Sequence, residues 1–81
     1  MSNEEIAQVF RDVYNGWWLK WREAPLTDTN LDKAAMEAFA LGVHYQAEPL
    51  VVRMTQELMQ ILEKRKKEAD NDERHIDQIH G

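Results

Sequence analysis

The feature that most constrains this chain is a ladder of large apolar residues between Ile6 and Trp21. The ladder follows the three- and four-residue spacing of an amphipathic helix for about four turns. Its members are Ile6, Val9, Phe10, Val13, Tyr14, Trp17, Trp18 and Trp21. All three tryptophans of the chain lie near the end of the ladder. So much aromatic surface must be covered, either by the rest of the chain or by a partner.

The remaining sequence predicts an all-α fold, a compact three-helix bundle with helices at about 3–23, 31–46 and 49–69. Ser2 and Glu5 have the spacing of a capping box at the start of the first helix. Pro25 and Pro49 separate the three helical segments. No segment alternates apolar and polar residues over the length of a strand. We therefore predict one helical domain at 1–69, followed by an acidic tail at 70–81 that is frayed or ordered by a partner.

Two local patterns decide how the first two helices pack. The pair Asn15-Gly16 can mark a hairpin turn or a helix end. The apolar spacing nevertheless continues through it, so we predict one continuous helix with Gly16 at the edge of the buried face. In the second helix, Ala34, Ala38 and Gly42 recur every four residues. Such a row of small side chains leaves room for the bulky rings of the first helix.

Composition and charge bound the class of protein. The chain has 81 residues, no cysteine and a net charge of −5. The chain is therefore expected to form a single small domain that has neither disulfides nor thiolate metal ligands. The sequence begins without the basic and apolar regions of a signal peptide, and no apolar run reaches the ~20 residues of a membrane span. We expect a soluble, cytoplasmic protein. Its acidic balance argues against general polyanion binding, although Lys64–Lys67 form a basic cluster.

The residues of catalytic and metal sites are scarce. Ser2 is the only serine and already has a role as a helix cap, so a serine or cysteine nucleophile is lacking. His75 and His80 are five positions apart and would point about 140° away from each other on a helix, which prevents them from sharing a metal. We predict that the protein is not an enzyme and has no catalytic residue, no metal and no cofactor.

A surplus of apolar residues indicates a second buried surface. Leu19, Val52 and Met59 fall outside the main apolar stripes, while Met36 and Val43 lie at the margins. The wide face of the first helix also leaves some of its rings at a rim. If the third helix continued into the tail, two isoleucines would extend its apolar face. The predicted partner-binding residues are Trp18, Leu19, Trp21, Val52, Met59, Ile76 and Ile79.

Three segments together give the chain a resemblance to known proteins. They are Tyr14-Asn15-Gly16-Trp17-Trp18-Leu19-Lys20-Trp21, the start of the third helix at Pro49-Leu50-Val51-Val52-x-Met54, and its end at Leu58…Leu62-Glu63-x-x-Lys66. Over residues 6–67 the chain resembles small all-helical proteins encoded in phages and prophages of Gram-positive bacteria. The resemblance implies a setting of replication, packaging or interference with a host system. Small acidic proteins of this kind include anti-CRISPR and other anti-defence inhibitors.

Three functional hypotheses follow. The first is a small acidic, non-catalytic protein-binding module, phage-borne, that acts by stoichiometric binding to a host or phage protein, as anti-CRISPR inhibitors do. The second is a homo-oligomeric structural or scaffold protein. The third is a small nucleic-acid-binding regulator, in which bases stack on the tryptophans or contact Lys64–Lys67.

Overall fold

The computed structural model describes the backbone of residues 1–80 and the side chains of residues 1–70. It consists of helices joined by short turns, in the order α1 (Asn3–Phe10), a π-helical segment (Arg11–Trp18), α2 (Leu19–Arg22), α3 (Asp28–His44) and α4 (Pro49–His80). The first three of these follow one another without a break and form one rod, the N-terminal rod (residues 3–22). With α3 and α4, the rod makes the all-helical three-helix fold that the sequence predicts. The predictions for the tail, including Ile76 and Ile79, concern side chains outside the described residues.

The N-terminal rod starts with the predicted capping box. The Glu5 amide donates to the Ser2 hydroxyl at 3.1 Å, and the Ser2 amide donates to the Glu5 carboxylate at 3.1 Å. These hydrogen bonds satisfy backbone donors that the first helical turn leaves free. The bond from the Ser2 backbone also lowers the pKa of the Glu5 carboxyl, because it stabilises the ionised form.

The rod continues through Asn15-Gly16 as predicted, but its middle part is wound as a π-helix. The Leu19 amide donates to the Tyr14 carbonyl, five residues back, where an α-helix would use the carbonyl four residues back. Gly16 is exposed, and a Cβ there would meet only the Arg11 carbonyl oxygen at 4.0 Å. Gly16 therefore does not mark a close approach of another helix.

The spacing of the buried residues accounts for the π-helical winding. Val9, Val13, Trp17 and Trp21 are all buried and lie four positions apart. An α-helix has 3.6 residues per turn, so a row at this spacing would rotate by about 40° at each step and by about 120° from Val9 to Trp21. The π-helix has more residues per turn and rotates the row the other way. Combining the two windings keeps all four side chains on the side of the core.

The core forms where the rod crosses α3 and α4. The Trp17 side chain is only 2 % exposed, and its Nε1–H donates to the Ala34 carbonyl oxygen of α3 at 2.9 Å. The expected packing of a ring against the small-residue row is thus confirmed at Ala34, which is itself buried. From α4, Val51 and Leu62 complete the buried cluster.

The turn between the rod and α3 is shorter than the sequence pattern predicts. The Thr27 hydroxyl accepts a hydrogen bond from the Asn30 amide at 3.1 Å and caps the helix, so α3 begins at Asp28 rather than at residue 31. The Asn30 side chain also donates to the Pro25 carbonyl at 2.8 Å. Several residues in this stretch have N-cap chemistry, and the first threonine takes the role.

The turn between α3 and α4 is a Schellman motif. The Ala47 amide donates to the Gly42 carbonyl at 2.7 Å, and the Gln46 amide donates to the Val43 carbonyl at 3.0 Å. Helix α3 ends at His44, two residues before its predicted end, because Gln46 and Ala47 have positive φ values of 55° and 59°. As predicted, Pro49 then begins α4, where its missing amide hydrogen costs no helical hydrogen bond.

Replacing Gln46 by glycine tests this turn. Glycine adopts a positive φ without the steric cost that glutamine incurs, although it has more freedom to lose on folding. We expect Gln46→Gly to raise the free energy of unfolding by up to about 1 kcal/mol in urea denaturation. Gln56→Gly, at an exposed position inside α4, is the matched control and should lower it by about 1 kcal/mol. A destabilised Gln46→Gly protein would contradict the assigned turn.

Candidate functional site: an apolar groove between α3 and α4

An open groove of about 990 Å³ runs between α3 and α4. Its walls come from these two helices and their turn, with no contribution from the N-terminal rod. The rod packs on another face of the same helix pair, through Trp17 and Ala34. The α3–α4 hairpin is therefore covered by the rod on one face and open along the groove.

A row of large apolar side chains stands on the α3 side of the groove. Met36 is 73 % exposed, Phe39 75 % and Val43 62 %. Their spacings of three and four residues place them on one face of the helix, and Phe39 and Val43 line the groove directly. We call these three residues the apolar ridge. Single exposed apolar side chains are common, whereas three in a row beside a groove are typical of an interaction surface.

The groove exists because small residues leave its floor unfilled. Ala35, Ala38, Gly42 and Ala47 contribute little side-chain volume to the α3 wall and the turn. At Gly42, a Cβ atom would meet nothing within 4 Å. The small-residue row predicted to receive aromatic rings therefore serves two surfaces, since Ala34 contacts the rod and Gly42 faces the groove.

The polar residues that line the groove are mostly uncharged. Thr55 is a buried polar residue in its wall, and its hydroxyl donates to the Val51 carbonyl of its own helix at 2.9 Å. Glu63 is the only charged residue among those that line the groove, and three glutamines supply most of the remaining polarity. On a chain that is 31 % charged, this face resembles a protein interface, with an apolar centre and a polar margin.

The predicted partner-binding residues divide between the groove and the core. Val52 and Met59 line the groove and are half-buried. Trp18 and Trp21 are each only 8 % exposed and belong to the core, and half-buried Leu19 packs against it. The expectation that these two rings lie at an uncovered rim is therefore wrong.

Two cations cover the tryptophans that the sequence places at the rim. The Arg65 guanidinium lies 5.4 Å from the centre of the Trp18 ring, and the Lys20 ammonium lies 4.8 Å from that of Trp21. Lys20 also pairs with Glu37 of α3 at 2.8 Å. Arg65 thus covers Trp18 from α4, whereas Lys20 covers Trp21 from the preceding position of the same helix.

Part of the basic cluster Lys64–Lys67 makes contacts within the chain. The Lys66 ammonium lies 2.8 Å from the Asp70 carboxylate and 3.4 Å from that of Asp28. The hydrogen bond to Asp70, followed by that to Asp28, raises the pKa of Lys66. Both acidic partners favour the charged form of the lysine. Two of the four residues of the cluster, Arg65 and Lys66, are thus engaged within the chain.

The sequence predicts a second buried surface from a surplus of apolar residues that includes Met36 and Val43, but no ridge residue is among the predicted partner-binding residues. Met36 and Val43 lie at the margin of the predicted apolar stripe. The sequence signal for the ridge is the three- and four-residue spacing of its members. This spacing places them together on a different face of α3 from Ala34 and Ala38. That signal is weak without knowledge of which α3 face the rod covers.

A hydrogen bond between a tyrosine and a carboxylate connects the C-terminal end of α3 to the N-terminal rod. The Tyr45 hydroxyl, at the C-terminal end of α3, donates to the Asp12 carboxylate in the π-helical segment. This hydrogen bond, with some desolvation and the nearby negative charge, raises the pKa of Tyr45 to about 12. Ionising the phenol would remove the donor and place a second negative charge beside Asp12.

This bond predicts a loss of stability at alkaline pH. The pKa of Tyr45 is about 12 in the folded chain and 10.0 for the ordinary phenol, so the folded state holds the proton more tightly. The contribution is complete below about pH 10 and is lost as the pH rises to about 12. We expect Tyr45→Phe to lower the free energy of unfolding by about 1 kcal/mol at pH 8.

Urea denaturation at several pH values measures both effects. The difference in stability between the wild type and Tyr45→Phe should shrink as the pH rises through this window. Tyr14→Phe, at an exposed tyrosine, is the control and should retain the wild-type pH dependence. A constant difference between wild type and Tyr45→Phe from pH 8 to pH 12 would contradict the assigned bond.

The described side chains offer little for metal chemistry. Within residues 1–70 there is no group of three histidine, cysteine or carboxylate side chains placed to hold a metal ion. Among the helices in the described part of the chain, none combines the length and the apolarity that a bilayer crossing requires.

Comparisons of the chain with protein-family models, with curated proteins and with solved structures gave no match. The resemblance to phage-encoded helical proteins accordingly stays a prediction. The groove and the residues that line it are the structural basis for a functional proposal.

Proposed function

We propose that this chain is a small, non-catalytic protein-binding module that buries the α3–α4 groove and the apolar ridge against another polypeptide. The observation that carries the proposal is the exposure of Met36, Phe39 and Val43 beside an unfilled groove. Removing such apolar surface from water is the main favourable contribution to protein association. Binding is stoichiometric, because the described residues of each chain present one such face.

The composition of the groove favours a polypeptide over a small ligand. Small-molecule sites place several polar groups so that they converge on the ligand. Here the Thr55 hydroxyl is satisfied within its own helix, and the glutamines Gln46, Gln56 and Gln60 are all exposed. An apolar helix face with polar margins matches this pattern, as in other helix-in-groove complexes.

A nucleic-acid role receives less support. Nucleic-acid binding of the single-strand type needs free aromatic faces next to free cations. Trp18 and Trp21 are buried, and Lys66 is paired with two carboxylates. The net charge of −5 also opposes association with a polyanion.

The resemblance to phage-encoded proteins supports a setting in the cytoplasm of a bacterial host. There the polypeptide would be a host protein, a phage protein or this chain itself. An anti-CRISPR-like inhibitor could act by mimicking a polyanion with its acidic surface, or by apolar contact. The scarcity of charge in the groove favours apolar contact, whose strength depends weakly on salt.

Site-specific photo-cross-linking in bacterial cells tests the proposal. A benzophenone amino acid at Phe39 should give a defined protein adduct, because this side chain stands beside the groove. The same amino acid at Phe10 is the matched control, since Phe10 is 52 % exposed but lies on the rod. The adduct from position 39 should disappear when Val43→Glu is added, because a carboxylate would be desolvated in an apolar contact.

The proposal fails if position 39 gives no adduct, or if positions 39 and 10 give the same adduct in equal yield. It also fails if the adduct survives Val43→Glu unchanged. Mass spectrometry of the adduct shows whether the polypeptide is another protein or a second copy. If a complex with another protein weakens steeply as the salt concentration rises, the protein binds by charge mimicry and not by apolar contact.

A further inference from the structure

We infer that the N-terminal rod has two mutually exclusive windings, a docked one that contains the π-helical segment and a released one that is α-helical throughout. The inference goes beyond the proposed function and does not depend on the groove. Three observations lead to it. The rod carries two apolar ladders that share tryptophans, only one ladder is buried, and hydrogen bonds to α3 hold the π-helical segment in place.

Two apolar ladders run along the rod and end on the same tryptophans. The members of the first, spaced by four residues, are Val9, Val13, Trp17 and Trp21. The second places Phe10 eleven residues and Tyr14 seven residues before Trp21. At about 100° per residue, an α-helix would bring Phe10 and Tyr14 to within about 20° of Trp21. Val9 would lie about 120° away from Trp21 in the same helix, so an ordinary α-helix selects the second ladder.

The docked rod has the opposite arrangement. Val9 is 0 % exposed, whereas Phe10 is 52 % and Tyr14 46 % exposed. The π-helical segment brings this about, because its wider turns offset the drift of a row spaced by four residues. The fold therefore uses the ladder that an α-helical rod would not bury.

Contacts with α3 hold the π-helical winding. Asp12 accepts a hydrogen bond from Tyr45, and Trp17 donates one to the Ala34 carbonyl at 2.9 Å. Asp12 and Trp17 both lie in the π-helical segment. Because π-helices are far rarer than α-helices, their winding costs free energy that other contacts must offset. When the rod leaves α3, these contacts are lost and the segment rewinds as an α-helix.

The two windings differ by the equivalent of one residue. Deleting Gly16, which is exposed and has no side chain to lose, changes the spacing between Val13 and Trp17 from four to three. Successive spacings of four, three and four are those of one face of an α-helix. The shortened rod can therefore bury the first ladder without a π-helical turn.

Urea denaturation of deletion variants of the full-length chain tests this equivalence. The protein that lacks Gly16 should have a urea midpoint equal to or above that of the wild type, because its docked rod no longer needs the π-helical winding. Deletion of Gln56, an exposed residue of α4, is the matched control. It turns buried Leu62 by about 100° relative to Val51 and should lower the midpoint or abolish folding. Equal losses from the two deletions would overturn the inference.

A cross-link that fits an α-helix tests whether the two windings exclude each other. The chain has no cysteine of its own, so Ala7→Cys and Tyr14→Cys, at two exposed positions, supply a unique pair. Seven residues are close to two α-helical turns, so a rigid bis-alkylating linker joins the pair on one face of an α-helix. Compared with the unlinked protein, the linked form should have a lower urea midpoint and red-shifted tryptophan emission. The same linker between Arg53→Cys and Gln60→Cys in α4 is the control and should change neither.

Deleting Gly16 from the cross-linked protein separates a winding effect from damage by the linker. The deletion lies outside the linked pair and makes the docked rod α-helical, so the linked and unlinked forms should then have the same urea midpoint. The inference is wrong if the linker leaves the chain with Gly16 unaffected, or if the deletion does not remove its effect. Neither failure bears on the groove, to which the rod contributes no residue.

Discussion

The contact on which the rest of this structure depends is that of Trp17 with α3. A large ring lies almost completely buried, and its indole N–H is satisfied by the Ala34 carbonyl at 2.9 Å. The ring requires a small side chain at position 34 and closure from α4, which Val51 and Leu62 provide. Burial of a ring of this size contributes several kcal/mol, a large share of the stability of a domain this small.

The spacing of the buried side chains accounts for the winding of the first helix. A row spaced by four residues drifts in one direction around an α-helix and in the other around a π-helix, so a π-helical segment between two α-helical ones keeps the row close to one face. The rod then buries Val9, Val13 and all three tryptophans on the side of the hairpin. With its tryptophans buried there, the rod contributes no side chain to the recess between α3 and α4. The open groove is the structural consequence, and the apolar ridge beside it makes that recess a binding surface.

The class of fold, the first helix cap and the first residue of α4 could be predicted from the sequence, because each depends on local chemistry. Ser2 and Glu5 interact across a single helical turn, and Pro49 suits the first position of a helix wherever it occurs. The π-helical winding could not be predicted, since spacings of three and four residues fit an ordinary α-helix nearly as well. The turn after α3 uses Gln46 at a position where glycine is usual.

Among the predicted binding residues, too, the sequence places some correctly and others not. Val52 and Met59 were selected because they fall outside the main apolar stripe, and they line the groove. Trp18 and Trp21 were expected at a rim, yet tertiary packing and two nearby cations cover them. A helical wheel shows which residues share a face, but it does not show how far a neighbouring side chain reaches. The groove lies between two helices, so its position follows from their packing rather than from either sequence alone.

The most direct test of this account measures whether the tryptophans are core. Trp17, Trp18 and Trp21 are the only tryptophans of the chain, so intrinsic fluorescence reports on them alone. The Phe39→Glu protein should be used, because it keeps the groove face from associating. The account predicts blue-shifted emission and weak quenching by acrylamide, both lost in urea. Emission and quenching like those of tryptophan in water, from a chain that is still helical, would show that the rings are displayed and would contradict the account.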